Sequence, residues 1–339
     1  MNNILVYCEV RDAHVAEVSL ELLSEGRRLA DKLWVQLEAV ALGCGLQGVP
    51  AEVFPYGVDT LHLFDDARLS PYTTLPYAEA LSKLVRENDY QIFLLGATIE
   101  GRDLAPRLTA ELHCGLTADC TSLEIGDYED RKSGTTIKDL LYQIRPAFGG
   151  NIVATIVNPF HRPQMATVRE GVMPLSVVRG SDYAGTVVQH AVADYISDAA
   201  FAVSVIERHV QPPQNNLKSA PIVVAGGYGM GSKENFEQLF TLAHLLHGEV
   251  GATRAAVDAG YTTRDRQIGQ TGLTVRPKVY FACGISGQVQ HIAGMQESGV
   301  IISINSDPDA PINAIADYVI TGRVEEVVPQ IITYYQQKQ

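Results

Sequence analysis

Residues 267–295, QIGQTGLTVRPKVYFACGISGQVQHIAGM, bring together two glycine turns, two threonines, a histidine and a strongly apolar run. Small polar residues on both sides of an apolar strand suit a pocket for a flat, polar, phosphate-bearing ligand. The run 278–283 reads as a strand, Gly284-Ile285-Ser286-Gly287 as a turn and the residues from about Gln288 as a helix. A strand that enters a helix through glycines presents backbone N–H groups at the positive end of the helix dipole, where a pyrophosphate is held. The layout recurs in PIVVAGGYGMGSKENFEQLFTLAHLLHGEV, with a glycine-rich turn before a helix from about Glu234. There Gly227 and Gly229 are followed by Ser232 where GxGxxG has its third glycine, so this turn alone is an ambiguous signal. Two such turns in one domain point to a two-armed phosphate crevice. Asn305, closing the apolar run in GVIISINSDPDAPI, has an amide able to bond a sugar or ribityl hydroxyl, although read by itself it is better taken as an Asn that caps the turn before Asp307-Pro308.

Other chemistries are set aside. The chain has 26 Lys and Arg against 39 Asp and Glu, a net charge of −13, which argues against a phosphate-backbone partner such as nucleic acid. Five cysteines, Cys8, Cys44, Cys114, Cys120 and Cys283, form no CxxC and read as reduced thiols. His244 and His247 have the spacing of two ligands on one helix face, but no acidic or thiol residue near them completes a metal set. The opening MNNILVYCEVRDAH has no signal-peptide pattern, and no apolar stretch approaches the ~20 residues of a membrane span. A cytoplasmic protein without membrane attachment is expected.

The elements that must position these residues follow an alternating pattern. ILVYCEV (4–10) reads as a strand, and HVAEVSLELLSEGRRLADKL as an amphipathic helix with apolar residues three and four apart. LEAVALG, TLHLF, a helix from Leu75 to Val85, YQIFLLGAT and EGRDLAPRLTAEL continue the alternation. The expected class is α/β, with a mostly parallel sheet flanked by helices. After Gly115 come shorter β-rich pieces, ADCTSLEI, LYQIRPAF, NIVATIVNP and MATVRE, expected to finish the first sheet or to extend it with antiparallel strands. A chain of 339 residues is long for a single core, and ERHVQPPQNNLKSAP breaks all periodicity. Two domains are therefore expected, 1–209 and 210–339.

Several stretches in one order, GATRAAVDAGY (251–261), QIGQTG (267–272), GISGQVQHIAGM (284–295), INSDPDAPI (304–312) and ADYVITG (316–322), resemble the alpha subunit of electron transfer flavoproteins. EGRDLAPRLTAEL, GLTADCTSLEI, RPAFGGNIVATI and RPQMATVREGVMP are similar to the same family, so the resemblance covers essentially the whole chain. It implies a doubly wound C-terminal domain that holds FAD, an N-terminal domain packed against an electron transfer flavoprotein beta subunit, and electron exchange with an acyl-CoA dehydrogenase or enoyl-CoA reductase. NADH or ferredoxin enters through the complex in some related systems.

Residue by residue, the resemblance implies that Arg254 lies over the isoalloxazine and that Thr271 bonds its reactive ring nitrogen. Gln270 and the backbone of Ile268 and Gly269 would line the ring. Ser286, Gly287, Gln288, Val289, Gln290 and His291 would cover the pyrophosphate turn and the ring's carbonyl edge, with Asn305 further along. Gly227, Tyr228, Thr253, Arg323 and Val324 complete the implied cofactor set. The chemistry is coherent, because a fixed cation such as Arg254 stabilises an electron-rich flavin by about 1–4 kcal/mol, or roughly 40–170 mV for one electron. Read alone, Arg254 is also placed for a surface ion pair with Asp258, at i+4. His291 is expected either to donate to the flavin carbonyl edge or, as a cation, to stabilise negative charge there.

Three positions depart from the family pattern: Tyr228 stands where arginine is usual, Leu273 where lysine is usual, and Arg323-Val324 where Asp-Leu is frequent. They bear on the flavin potential and the adenosine side rather than on the fold. The alternatives left by the glycine turns are a dehydrogenase that binds NAD directly, for which no poised acid or base stands out, and a nucleotide-binding subunit without redox activity.

Overall fold

A computed structural model describes residues 3–130, 134–147, 152–180, 183–207 and 216–337. The chain splits into two compact units, the first from Met1–Pro146 with Val153–Arg208 and the second from His209–Gln339 with Ala147–Ile152. The boundary expected near residue 210 lies outside the described residues.

The first unit opens with β1 (Ile4–Tyr7), the small hairpin of β2 (Val10–Arg11) and β3 (His14–Val15), and α1 (Glu17–Leu33). It continues through β4 (Leu37–Gly43), α2 (Val49–Val53), β5 (Thr60–Asp65), α3 (Thr74–Glu87), β6 (Ile92–Gly96) and α4 (Ile99–Leu112). Then come β7 (Leu116–Cys120), β8 (Ser122–Asp130), β9 (Thr135–Ala147), β10 (Ile152–Ile156), β11 (Gln164–Val168), β12 (Thr186–Gln189) and α5 (Val192–Tyr195). Seven strands form one sheet in the order β12-β5-β4-β1-β6-β11-β7, with neighbours parallel throughout. Alternate residues of β1 feed opposite faces: Ile4 and Val6 join one apolar cluster, Leu5 and Tyr7 the other. Such two-sided burial explains why these strands read as unbroken apolar runs.

The β-rich stretch after Gly115 divides. Strands β7 and β11 complete the parallel sheet, whereas β8, β9 and β10 form a separate three-stranded sheet in which β8 and β9 run antiparallel. Burial gives the reason. Every residue of β11 is buried, as a central strand requires, while β8 tends to alternate between sheltered and exposed positions and suits a sheet with one face in water.

The second unit contains β13 (Ile222–Gly226), α6 (Lys233–Leu245), β14 (Glu249–Ala252), α7 (Arg254–Asp258), β15 (Val279–Cys283), α8 (Val289–Ile292), β16 (Val300–Asn305), β17 (Tyr318–Thr321) and α9 (Val324–Gln336). Its sheet order is β14-β13-β15-β16-β17, all parallel. The chain winds from β13 out to β14 and then returns to the other side of β13, which puts a topological switch point in the middle of the sheet. Helices α6 and α9 cover one face through Phe236, Leu239 and Val328. The other face is closed mainly by irregular segments, through Ile268, Val275, Ile285, Met295 and Ile312.

His244 and His247 do not share a helix face. Helix α6 stops at Leu245, and His247 has a positive φ of 53° beyond its end. No metal-binding cluster occurs among the described residues.

Candidate functional site

A cavity of about 990 Å³ opens at the carboxyl ends of the second unit's strands. All five strands contribute: Gly227 follows β13, Thr253 follows β14, Gly284 follows β15, Asn305 ends β16 and Arg323 closes the turn after β17. This is where open parallel sheets bind ligands, and the volume lies at the upper end of the ~300–1,000 Å³ typical of cofactor pockets.

The two glycine turns meet backbone to backbone. Gly227 donates its N–H to Cys283 O at 2.9 Å, and Gly229 donates to Gly284 O at 3.0 Å. A Cβ on Gly227 would lie 2.1 Å from Gly284 O, and one on Gly229 would lie 2.7 Å from it. Gly284 itself has φ +61°, a conformation that favours glycine. Ser232, in place of a third glycine, starts α6 by accepting from Asn235 N–H at 3.2 Å. The close packing of helix on strand falls instead to Gly226, where a Cβ would meet Phe236 at 2.3 Å. On the second arm, the backbone N–H groups of Ser286, Gly287 and Gln288 have no protein acceptor among the described residues. They remain available to a phosphate.

The loop from Gln267 to Leu273 forms another wall. It is anchored by Ile268 N–H to Ala252 O (2.8 Å) and Gln270 N–H to Gln290 O (2.7 Å). Gly269 has φ +142°, and a Cβ there would reach within 2.7 Å of Gln290 O. Thr271 Oγ1 accepts from Gln267 Nε2 at 3.0 Å, so the hydroxyl proton is left to donate elsewhere.

His291 departs from expectation. Its Nδ1 lies 3.0 Å from Ile268 O, and its Nε2 lies 2.8 Å from the Tyr280 hydroxyl. A carbonyl only accepts, so Nδ1 carries the proton and Nε2 accepts from Tyr280. Burial pushes the imidazole down to about 4. In this geometry His291 is neutral, with both nitrogens engaged by protein, and is neither a cation nor a direct donor to a ligand.

Charge sits on the rim. Arg254 Nε lies 3.3 Å from Asp258, with both side chains largely exposed, at 71% and 65%. Arg323 pairs with Glu325 at 3.5 Å. Both arginines line the cavity, as do Asp258, Asp307 and Glu325. Thr253 caps α7 by accepting from Ala256 N–H at 3.3 Å. Asn305 donates to Ile285 O at 2.8 Å and accepts from Asp307 N–H at 3.0 Å, so it caps the turn while lining the cavity. Tyr228 stacks on Tyr261, with ring centroids 6.1 Å apart and planes within 13°.

The cavity gathers Gly227, Tyr228, Thr253, Arg254, Ile268, Gly269, Gln270, Thr271, Ser286, Gln288, Gln290, His291, Asn305, Arg323 and Val324. Gly287 and Val289 are not on its wall. Gly287, at φ +89°, instead lets the turn pass Ile312, whose amide nitrogen would lie 2.2 Å from a Cβ there. Sequence reasoning did not place Gly229, Gln267, Asp307, Pro311 or Glu325 on the wall. Gly229 belongs to the first glycine turn, Gln267 to QIGQTG and Asp307 and Pro311 to INSDPDAPI, whereas Glu325 lies in none of the stretches singled out above.

A doubly wound parallel sheet with a phosphate crevice at its switch point defines a nucleotide-cofactor-binding protein. Residues 4–195 match the electron transfer flavoprotein domain, and residues 216–296 match the electron transfer flavoprotein FAD-binding domain. The chain is 46% identical over 328 residues to the electron transfer flavoprotein subunit alpha of Clostridium acetobutylicum, covering 96% of this chain and 95% of that one. It is 44% identical over 330 residues to the corresponding subunit of Thermoanaerobacterium thermosaccharolyticum, covering 97% and 96%. It is also 39% identical over 365 residues to the acryloyl-CoA reductase electron transfer subunit beta of Anaerotignum propionicum, covering 97% and 94%. The chain belongs to the electron transfer flavoprotein alpha subunit family and is an electron-transfer flavoprotein subunit.

Proposed function

We propose that this chain holds FAD in the cavity of its second unit, pairs with a beta subunit, and moves electrons between a donor and an acyl-CoA dehydrogenase or enoyl-CoA reductase. The observation that carries the reading is the pair of interlocked glycine turns at the switch point. They leave a phosphate crevice beside a roomy cavity in a segment that matches the FAD-binding domain. The bound flavin supplies a ring that accepts and releases electrons.

The chain's own residues bind and tune it. The N–H groups of Ser286, Gly287 and Gln288 take the pyrophosphate. Thr271, whose oxygen already accepts from Gln267, would donate a hydrogen bond to the ring's reactive nitrogen. Arg254 would place a permanent cation over the ring once it leaves Asp258. Gln270, with the backbone of Ile268 and Gly269, lines the ring, and Asn305 flanks the ribityl side.

The likeness to the acryloyl-CoA reductase electron transfer subunit beta of Anaerotignum propionicum favours an acyl-CoA reductase partner over a general carrier role. The test is an anaerobic absorbance titration of the chain, co-expressed with its beta subunit and reconstituted with FAD. Bleaching by NADH assigns it to an NADH-driven reductase complex, and bleaching only by a reduced acyl-CoA dehydrogenase assigns it to a carrier. A complex that stays colourless after reconstitution overturns the reading.

A further inference from the structure

We propose that Tyr228 ends an aromatic stack at the cavity and lays its open ring face on the isoalloxazine of the bound flavin. The inference rests on the flavin reading above and adds to it a ring contact made by the first glycine turn.

Tyr228 is 65% exposed, yet its backbone is clamped on both sides. Its neighbours Gly227 and Gly229 pack so closely on Gly284 that a Cβ on them would lie 2.1 Å and 2.7 Å from the Gly284 carbonyl oxygen. Its own carbonyl accepts from Gly231 N–H at 3.1 Å. The backbone under the ring is therefore fixed, and neither neighbour has a side chain that could cover it.

Other aromatic rings back it. Tyr261 lies behind, with centroids 6.1 Å apart and planes within 13°, and the fully buried Phe236 stands 6.3 Å from Tyr261. Both separations are within the range of stabilising aromatic pairs. Tyr228 lines the cavity, whereas Tyr261 and Phe236 do not. The stack thus runs from the core outward, and its last ring borders the cavity. A ring so placed gains most from a flat, conjugated ligand that covers its free face.

Position selects which ring of the cofactor that is. Tyr228 leans on Tyr261, which follows α7, and α7 starts directly after β14. Arg254 and Asp258 of α7 line the same cavity. Ile268, in the loop assigned to the isoalloxazine, bonds Ala252 at the end of β14. Tyr228 is therefore on the β14 side of the switch point, with the residues assigned to the isoalloxazine, while Arg323 and Val324 border the cavity beyond β17. The isoalloxazine is three fused rings long, so Arg254 and Tyr228 face different parts of it. Where arginine is usual, this chain offers a ring face and no charge.

The test uses the full chain co-expressed with its beta subunit and freed of cofactor. Calorimetry measures affinities for FAD, flavin mononucleotide and ADP in the wild type, Tyr228→Phe and Tyr228→Leu, and differences between variants report on this chain alone. Tyr228→Leu is expected to weaken FAD and flavin mononucleotide about five- to tenfold and to leave ADP unchanged, the scale of one aromatic pair. Tyr228→Phe keeps the ring and should hold both flavin affinities within about twofold. A phenol quenches an excited flavin stacked on it and a benzene ring does not, so bound-flavin fluorescence should rise in Tyr228→Phe. Weakened ADP with unchanged flavin mononucleotide in Tyr228→Leu places the stack on adenine and overturns the proposal. Unchanged flavin affinities in Tyr228→Leu overturn it as well, as does unchanged fluorescence in Tyr228→Phe. A wild-type complex that binds ADP but neither flavin overturns the flavin reading itself, and the proposal with it.

Discussion

Gly227 and Gly284 touch through their backbones: a Cβ on the first would lie 2.1 Å from the carbonyl oxygen of the second. Backbone cannot yield as a flexible side chain does. Gly227→Ala is therefore expected to force the two phosphate turns apart, destabilising the unit by about 1–3 kcal/mol and abolishing FAD retention. Gly48→Ala, at a glycine with open space around its α-carbon, should leave stability within about 0.5 kcal/mol. Thermal denaturation and flavin content after gel filtration check both.

Arg254 and Asp258 form an exposed ion pair, worth little to stability. Arg254→Gln should leave the melting temperature nearly unchanged but lower the flavin midpoint potential by roughly 40–170 mV, because a cation near the ring favours the electron-rich form. Asp258→Asn should shift the potential the other way. Spectroelectrochemical titration separates these outcomes, and a raised potential in Arg254→Gln would count against the assigned role.

Burial pushes the thiols of Cys8, Cys120 and Cys283 up to about 12 and that of Cys114 to about 11. Cys44 is the exposed one. Iodoacetamide at pH 8 is expected to label Cys44 well ahead of the others, since the thiolate is the reactive species. Peptide mass mapping at short times reads the order.

Glu100, in the first turn of α4, accepts a hydrogen bond from the Tyr7 hydroxyl. Burial first, and then the neighbouring Glu9 and Asp103 charges, raise its carboxyl to about 7. A carboxyl raised in the fold holds its proton where the unfolded chain has lost it, so stability falls as pH rises from about 4.5 to 7. Glu100→Gln, which keeps an acceptor for Tyr7, should be more stable than the wild type at pH 8 by about 1–2 kcal/mol and similar to it at pH 4.5. Urea titrations at the two pH values measure the difference.

The site shows which residues a sequence can reveal. Gly227, Gly229 and Gly284 were legible because a strand, a glycine turn and a helix in succession carry their own local signal. Ser232 obscured that signal, and only the structure shows Gly226 supplying the close contact with Phe236 that the third glycine of a GxGxxG would provide. Asn305 was read in two ways; it caps the turn by accepting from Asp307 N–H, and it also lines the cavity. Glu325 carried no signal, because nothing in its neighbours shows that the end of β16 and the start of α9 converge.

By itself the sequence determined the alternating strands and helices, the parallel sheets and the family, because hydrophobic period, turn residues and motif order are written locally along the chain. The tertiary structure alone decided three further points. It divided the β-rich stretch after Gly115 between two sheets, since the partner of a strand depends on burial across residues far apart. It paired Arg254 with Asp258 and Arg323 with Glu325 on the rim of one cavity. It also made His291 neutral, because the charge on an imidazole depends on its burial and on the Tyr280 hydroxyl and Ile268 carbonyl that reach it from two other segments.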